Sequence, residues 1–367
     1  MPPPGSTVVV GISGGVDSAV TALLLVEAGL DVHAVFMQNW EDDDAECTAR
    51  QDYRDAAAVC AQLGVEIEAL NFAEEYWDRV FSHFLAEYGA GRTPNPDVLC
   101  NREIKFKAFL DHAMARGADA IATGHYARHA TRDGAPALLR GVDSNKDQTY
   151  FLHALTEPQL APALFPLGAL QKDTVRNIAR ETKMHVHNKK DSTGICFIGE
   201  RHFNAFLSTY LPAQPGDIVT EFGEVIGRHN GLMYYTLGQR KGIGVGGRAD
   251  AGGGAWFVAE KQLEHNALLV VQGADHPRLM RQTVHLAQLS WCRERPASAT
   301  LRCTAKIRYR QDDLPCTVTL RDGNTGVLAF DQPVRAATPG QSAVFYLDDE
   351  CLGGGVIADF QTNRSDS

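Results

Sequence analysis

The first 125 residues alternate between short apolar runs and longer amphipathic stretches. Runs rich in β-branched residues predict buried parallel strands, and apolar positions in helical register predict the helices between them. The predicted order is strand Thr7–Gly11, helix Asp17–Ala28, strand Val32–Met37, helix Ala45–Leu63, strand Val65–Leu70, helix Glu74–Tyr88, helix Arg102–Arg116 and strand Asp119–Thr123. This alternation is typical of an α/β domain with a doubly wound parallel sheet. Because such sheets bind ligands at the carboxyl ends of their strands, we expect Gly11–Ser18, Met37 and Thr123–Tyr126 to surround one crevice.

The pattern changes after about residue 207. Glycines come thickly through Gly254, which predicts a small β-rich middle domain, and short alternating runs from about Arg278 predict a C-terminal β-barrel. The predicted barrel strands are Thr300–Ile307, Cys316–Leu320, Gly326–Phe330, Ser342–Leu347 and Gly355–Phe360. We therefore expect three domains, at 1–207, 208–277 and 278–367. A cationic patch with an aromatic residue, Lys306 and Arg308–Arg310, is expected on one barrel strand, where it suits a nucleic-acid backbone or a plain solvated face.

Between the first strand and the first helix lies the turn Ser13-Gly14-Gly15. A strand, a glycine turn and a helix N-terminus form an anion site, because free backbone N–H groups and the helix dipole point at the turn. Neither a Walker A loop, which needs Lys-Ser or Lys-Thr after the second glycine, nor a GxGxxG motif is present. Gly11–Ser18 instead resembles the SGGxDS loop of ATP enzymes that release AMP and pyrophosphate, although Ala19 stands where serine is frequent.

Two loops carry cysteines that are candidates for chemistry. Because Pro94 and Pro96 disfavour both helix and central strand, residues 90–101 are expected to form a loop that delivers Asp97 and Cys100 to a helix N-terminus. A thiol there, followed by Arg102, Lys105 and Lys107, is either reactive or merely packed. Cys196 lies in a second loop between glycines, Ser192–Gly199. If ATP activates an oxygen, one thiol could carry sulfur as a persulfide and the other resolve it.

Composition and charge restrict the class of protein. The chain has 367 residues and a formal net charge of −10, which argues against a general nucleic-acid binder but leaves room for a local basic surface. The eight cysteines contain no CxxC pair, so no metal site is expected. Neither a secretory signal nor an apolar span is evident, and the expected location is the cytoplasm.

Taken together, the motifs resemble one family, the bacterial tRNA-specific 2-thiouridylases, from end to end. The resemblance is carried by Gly11–Ser18, Thr93–Asp97, Cys100-Asn101, Thr123–Tyr126, Lys146–Gln148, Ser192–Gly199, Gly238–Gly242 and Ile307–Tyr309. The family replaces the C2 oxygen of the wobble uridine of tRNA with sulfur. The resemblance implies adenylation of that oxygen by ATP, with Mg²⁺ on the phosphates, and displacement of AMP by persulfide sulfur.

The resemblance also implies residue roles. ATP is expected to contact Gly11, Ile12, Ser13, Gly14, Gly15, Val16, Asp17, Ser18, Met37 and Gly124. Asn95, Pro96 and Asp97 are expected to contact the target base, with Asp97 a candidate for proton transfer. Cys196 is expected to carry the persulfide. Cys100 is expected to be the second catalytic thiol, which either ends in a Cys100–Cys196 disulfide or releases sulfide to attack. The expected tRNA contacts are His125, Lys146, Asp147, Gln148, Arg308, Tyr309 and Gln341. The expected partners are the tRNA and a sulfur donor, either a cysteine desulfurase or a relay protein, and the expected state is a monomer.

Other classes share the nucleotide loop. Amide-forming synthetases for GMP, NAD or asparagine and a tRNA lysidine synthetase have no use for paired catalytic cysteines, and a 2-thiocytidine enzyme is expected to show CxxC cluster ligands. An ATP-sensing RNA-binding module with inert cysteines is the non-enzymatic alternative. Replacement of Cys196 by Ser discriminates this module from the enzyme, because only the enzyme would lose an activity.

Overall fold

A computed structural model describes residues 1–40, 49–191, 203–245 and 254–358. Within these ranges the strands are β1 Thr7–Gly11, β2 Asp31–Gln38, β3 Glu66–Asn71, β4 Ala120–Ala122, β5 Ala127–Arg132, β6 Ala135–Arg140, β7 Ala163–Leu164, β8 Gly216–Val219, β9 Val225–His229, β10 Trp256–Gln262, β11 Ala267–Gln272, β12 Met280–Trp291, β13 Thr300–Lys306, β14 Leu314–Arg321, β15 Thr325–Arg335, β16 Ser342–Leu347 and β17 Glu350–Ile357.

The α-helices in the same ranges are α1 Val16–Glu27, α2 Ala49–Leu63, α3 Ala73–Tyr76, α4 Ser82–Gly89, α5 Pro96–Cys100, α6 Phe109–Ala115, α7 Thr149–Leu152, α8 Glu157–Leu160, α9 Lys172–Glu181 and α10 Phe203–Tyr210. Two π-helical segments, Trp77–Phe81 and Asn101–Ala108, join α3 to α4 and α5 to α6. Helical segments therefore run from Ala73 to Gly89 and from Pro96 to Ala115, and they confirm the two helices predicted in this region.

The N-terminal half is a parallel α/β layer, as the alternation of elements predicts. Its sheet has the order β3-β2-β1-β4-β7, and every pairing is parallel. Strand β1 lies in the centre, and Val8 and Val10 on it are fully buried. Since β1 has neighbours on both sides, the turn that follows it opens at the middle of the carboxyl edge.

The C-terminal strands close into a six-stranded antiparallel barrel. The order β12-β15-β14-β13-β16-β17 is completed by pairing of β17 with β12. A separate four-stranded sheet, β10-β11-β8-β9, forms the middle of the chain. The predicted fold class is therefore confirmed, whereas the exact domain boundaries stay a prediction.

The sequence patterns missed the hairpin formed by β5 and β6. It belongs to the N-terminal half of the chain but pairs with β17, where Leu138 lies opposite Cys351 and Leu139 opposite Glu350. Arg128 and Arg132 on the hairpin make ion pairs with Asp349 at 2.8 and 2.7 Å. The hairpin thus attaches the barrel to the N-terminal half.

Two other predictions of local structure are wrong. Residues 96–100 form a helix and not a loop, because Pro96 occupies the first helical position, where its missing N–H has no partner to lose, and Asn95 caps the helix. The cationic patch is not on one strand: β13 ends at Lys306, and Arg308–Arg310 lie in the turn that follows. The strand β12 was also not predicted.

Candidate functional site

The turn after β1 has the backbone of an anion-binding loop. Gly14 adopts the left-handed conformation with φ +73°, and a Cβ on it would lie 2.2 Å from the carbonyl oxygen of Asp52. Helix α1 begins at Val16, and its N-cap, Gly15, provides no side-chain hydrogen bond. The first N–H groups of α1 therefore face the turn without a side-chain cap, which favours an anion there.

Ser18 fixes the shape of this turn. Its Oγ donates to the carbonyl of Gly15 at 3.1 Å and accepts from the backbone N–H of Ser13 at 3.1 Å. Ile12 and Val16 are almost fully buried, so only their backbone atoms can serve a ligand in the turn.

The predicted neighbours of the loop lie beside it. A Cβ on Gly11 would lie 3.0 Å from Cε of Met37, and a Cβ on Gly124 would lie 3.0 Å from the backbone nitrogen of Ser18. The ends of β1, β2 and β4 therefore lie next to one another, as expected from the rule for parallel sheets, while the predicted crevice between them stays a prediction. The close approach of residue 124 to α1 favours a glycine there. Nucleotide binding by these residues stays a prediction.

Lys172, which the sequence did not single out, lies at the same place. Its Nζ is 2.7 and 2.8 Å from the two carboxylate oxygens of Asp17 and 2.8 Å from Oδ1 of Asp191. Tyr126 donates from its hydroxyl to Asp17 Oδ1 at 2.7 Å. The side chain of Lys172 is only 9% exposed, so these charges interact through a poorly solvated region. No local signal reveals the contact, because 155 positions separate Lys172 from Asp17.

Asp191 is the second carboxylate of this group. Besides Lys172 it accepts from Lys146 at 2.7 Å and from Arg176 at 2.7 Å. Partial burial raises the pKa of Asp191, but the hydrogen bonds from Lys146 and Lys172 outweigh burial and hold the pKa at about 2. Asp191 therefore stays ionised at any physiological pH and holds three cations near the loop.

A further lysine ties the loop to helix α2. Lys189 donates to the carbonyl of Gly14 at 2.9 Å and to Asp52 at 2.7 Å, and it also contacts Asp55. Burial alone lowers the pKa of Lys189, but its two carboxylate partners outweigh that effect and raise it. Lys189 thus holds the turn at Gly14 against helix α2.

Helix α5 presents the predicted base-binding residues. Asn95 accepts from the backbone N–H of Asp97 at 3.1 Å, and Cys100 at the end of the helix is 1% exposed. Oδ1 of Asp97 is buried without a hydrogen-bond partner among the described residues, and so is Oδ1 of Asn101. Since buried acceptors without partners are costly, Asp97 is suited to accept a hydrogen bond from a ligand.

The barrel holds the segment that leads into α5. Gln341 donates from Nε2 to the carbonyl of Thr93 at 2.7 Å, and the N–H of Thr93 donates to the carbonyl of Pro339 at 2.9 Å. Gln341, a predicted tRNA contact, is therefore also a link between two distant parts of the chain.

The predicted tRNA contacts of residues 146–148 differ in their surroundings. Asp147 is 5% exposed and accepts from the N–H of Gly141 and from Thr149, so it stabilises the turn. Gln148 accepts from the N–H of Tyr126 at 2.9 Å. Lys146, like Gln148, is partly exposed, and 37% of its side chain is accessible.

His125 is buried behind the loop. Its Nδ1 lies 2.8 Å from the hydroxyl of Thr123, and its ring is 5.9 Å from that of Phe106. Burial, with a contribution from Lys105, places the pKa of His125 well below its usual value. The imidazole is therefore neutral and supports the loop at Gly124 from inside.

Arg308 and Tyr309 connect parts of the chain. Arg308 donates from Nη2 to the carbonyls of Leu237 and Ala336 at 2.7 and 3.0 Å. The ring of Tyr309 lies 4.5 Å from that of Phe151. Contact of either side chain with RNA stays a prediction.

Cys196 and the segment Ser192–Gly199 lie outside the described residues. In the described ranges, no group of three or more His, Cys, Asp or Glu side chains could hold a metal ion. None of the helices there combines the length and apolar character that crossing a lipid bilayer requires.

Comparison with family models divides the chain into three parts. Residues 6–200 match a model described as a tRNA methyl transferase HUP domain, residues 204–272 a tRNA methyl transferase PRC-barrel domain, and residues 281–357 an aminomethyltransferase β-barrel domain.

Two solved structures resemble about half of the chain, with low TM-scores. The U34-tRNA thiolase NcsA from Methanococcus maripaludis with its [4Fe-4S] cluster has a TM-score of 0.35 and 19% identity, over 56% of this chain and 64% of that chain. A 4-thiouridine synthetase–RNA complex with bound ATP has a TM-score of 0.34 and 15% identity, over 56% of this chain and 50% of that chain.

Similarity to curated proteins extends over nearly the whole chain. The tRNA-specific 2-thiouridylase MnmA of Klebsiella pneumoniae is 59% identical over 95% of this chain and 96% of its own length. The proteins of the same name from Psychromonas ingrahamii and Escherichia coli are 58% identical over the same shares. The chain therefore belongs to the family of tRNA-specific 2-thiouridylases, MnmA.

Proposed function

We propose that the protein uses ATP to adenylate the C2 oxygen of the wobble uridine of tRNA and then replaces that oxygen with sulfur. Membership in the family supports tRNA thiolation as the activity. The observation that carries the use of ATP is the turn at Gly14: its backbone cradle, the N-terminus of α1 and the Lys172 ammonium meet at the carboxyl edge of the sheet.

The residues present fit a triphosphate. A Cβ at Gly14 would collide with the backbone of Asp52, and one at Gly124 would make a tight contact of 3.0 Å with the backbone of Ser18, so glycine suits both positions and leaves their backbone uncovered. Gly11–Ser18, Met37 and Gly124 would hold the nucleotide. Mg²⁺ would enter with it and neutralise phosphate charge, with phosphate oxygens as its main ligands, because the described residues offer no cluster of protein ligands.

Asp97 is suited to the proton transfers at the base. Loss of the N3 proton of uracil makes O2 a better nucleophile toward the α-phosphate, and pyrophosphate is the leaving group. The partnerless Oδ1 of Asp97 can accept that proton and return it after sulfur has entered. Asn95 and Pro96, which begin the same helix, would position the base after it turns out of its stack.

Cys196 and Cys100 would deliver the sulfur. The terminal sulfur of a Cys196 persulfide attacks C2 and AMP leaves, which joins C2 to Cys196 through two sulfurs. The Cys100 thiolate then attacks Sγ of Cys196, so that thiouridine leaves and a Cys100–Cys196 disulfide forms. An external thiol must reduce this disulfide before the next cycle.

The remaining contacts and partners are also proposals. His125, Lys146, Asp147, Gln148, Arg308, Tyr309 and Gln341 would line the tRNA path, with direct contact most accessible to Lys146 and indirect support from His125 and Asp147. The sulfur would come from a cysteine desulfurase or a relay protein. We further propose a monomer that acts in the cytoplasm.

The test is nucleoside mass spectrometry on unmodified tRNA incubated with the protein, ATP, Mg²⁺ and a persulfide source. The expected product is a uridine in which one oxygen is exchanged for sulfur, formed only with ATP and absent with Cys196→Ser. Release of AMP without thiolated uridine would contradict the proposed acceptor and point to an amide-forming reaction. Equal thiolation by Cys196→Ser would contradict the persulfide route.

A further inference from the structure

Lys172 occupies the position where a phosphate-binding lysine would be needed. The loop Ser13–Ser18 contains no lysine or arginine. Helix α9 begins at Lys172, and its Nζ reaches the carboxylate of Asp17, the second residue of α1. An ammonium group from a distant part of the chain therefore contacts a side chain in the first turn of α1.

The charges around Lys172 are close to balance among the described residues. Asp17 and Asp191 face Lys146, Lys172 and Arg176, and a third carboxylate, Asp143, accepts from the backbone N–H of Lys172 at 2.9 Å. Among the described residues, Lys172 alone of these three cations contacts both Asp17 and Asp191, and its side chain is the least exposed of the three. The three N–H donors of this ammonium are taken by carboxylate oxygens, so binding of a phosphate oxygen would exchange one charge-assisted hydrogen bond for another at a group that is already desolvated.

We propose that Lys172 binds the pyrophosphate portion of the nucleotide, and that Asp17 and Asp191 hold the ammonium in place until the nucleotide arrives. This inference rests on the proposed function, since it assumes that ATP binds at the Gly14 turn. We expect Lys172 to bind the β- or γ-phosphate and not the α-phosphate, because the α-phosphate must stay open to the attacking uridine oxygen.

A simpler role for Lys172 is neutralisation of Asp17, whose carboxylate would otherwise repel phosphates. The two roles differ when Asp17 is made neutral. In an Asp17→Asn background residue 17 no longer needs neutralisation, and Asp191 keeps Lys146 and Arg176 as partners, whereas a phosphate ligand is still needed. The comparison of Asp17→Asn with Asp17→Asn/Lys172→Gln therefore separates them.

The probes are α,β-methylene-ATP, inorganic pyrophosphate and AMP, each with Mg²⁺, in calorimetric titrations of the full chain. In the Asp17→Asn background, loss of Lys172 is expected to weaken binding of the ATP analogue and of pyrophosphate about 10- to 100-fold, the value of a charged hydrogen bond. Binding of AMP should change less than about threefold, and Lys172→Arg should restore most of the affinity. Arg180→Gln, which removes an exposed cation from the same helix, is the matched control.

Equal affinities with and without Lys172 in the Asp17→Asn background would overturn the inference, and so would equal losses for AMP and pyrophosphate. If Lys172→Gln does not fold, Lys172→Met, which keeps the apolar stem and removes the charge, replaces it in both backgrounds, with the same expected result and the same result that overturns the inference. Failure of the wild type to bind the ATP analogue at all would instead contradict the proposed use of ATP.

Discussion

Gln341 donates a hydrogen bond of 2.7 Å to the carbonyl of Thr93, a residue 248 positions earlier in the chain. This contact, with that between Thr93 and Pro339, fixes the start of the segment that leads to Asn95 and Asp97. The barrel therefore positions the residues proposed to bind the target base. A defect in this contact should act on the reaction with tRNA more than on stability.

Gly340→Ala tests this contact. Gly340 has φ +90°, and a Cβ on it would lie 2.9 Å from the backbone nitrogen of Thr93, so the segment must move. We expect kcat/KM for tRNA thiolation to fall at least about tenfold, or 1.4 kcal/mol of transition-state stabilisation. Gly323→Ala is the matched control, with φ +67° and no atom within 4 Å of the added Cβ. The interpretation is wrong if both variants thiolate tRNA equally well.

Gly14 and Gly29 form a second matched pair, with φ of +73° and +74°. A Cβ on Gly14 would collide with the carbonyl of Asp52 at 2.2 Å, whereas one on Gly29 would make an ordinary contact of 3.7 Å with Pro4. Both Ala variants carry the backbone strain of about 1 kcal/mol. Only Gly14→Ala should also weaken binding of an ATP analogue by about tenfold or more, measured by calorimetry. Loss of binding in Gly29→Ala as well would show that strain alone accounts for the effect.

Arg308→Ala is expected to destabilise the fold. The guanidinium satisfies the carbonyls of Leu237 and Ala336 and so links the middle sheet to the barrel. Loss of these two hydrogen bonds should lower the free energy of unfolding by about 2–3 kcal/mol in denaturant titrations. Arg310→Ala, on an exposed neighbour, should have little effect on stability. Normal stability of Arg308→Ala together with weakened tRNA binding would show instead that Arg308 chiefly faces the RNA.

Stability should fall as the pH is lowered from 6.5 to 4 because of His153. Burial is the main cause that lowers the pKa of His153 to about 4, while its hydrogen bond to the carbonyl of Tyr150 opposes the shift. The folded state therefore binds fewer protons than the unfolded state in this window, and the loss reaches at most about 3 kcal/mol near pH 4. His153→Gln should remove that share of the pH dependence in unfolding titrations at pH 7, 5.5 and 4.5. If the free energy of unfolding of His153→Gln falls with pH as steeply as that of the wild type, His153 is not the cause.

Local patterns predicted the N-terminal elements well. Strand β1 has the predicted bounds Thr7–Gly11, and α2 ends at Leu63, directly before Gly64, as predicted. These elements depend on neighbours in the sequence: apolar periodicity, and glycines that permit a left-handed turn. The prediction failed at Pro96, where two prolines suggested a loop, because the helix-starting role of proline depends on the cap at Asn95.

The sequence by itself determined the parallel sheet, the turn at Gly14, the barrel and the family, because each is encoded in local periodicity or in a short motif. Only the tertiary structure placed Lys172 between Asp17 and Asp191 and showed Thr93 held by Gln341. It also showed that Arg308, His125 and Asp147, whose contacts with tRNA stay a prediction, have hydrogen-bond partners inside the protein. These relationships join residues far apart in the chain. Burial and hydrogen-bond partners at such positions follow from how the layers pack, which no local pattern specifies.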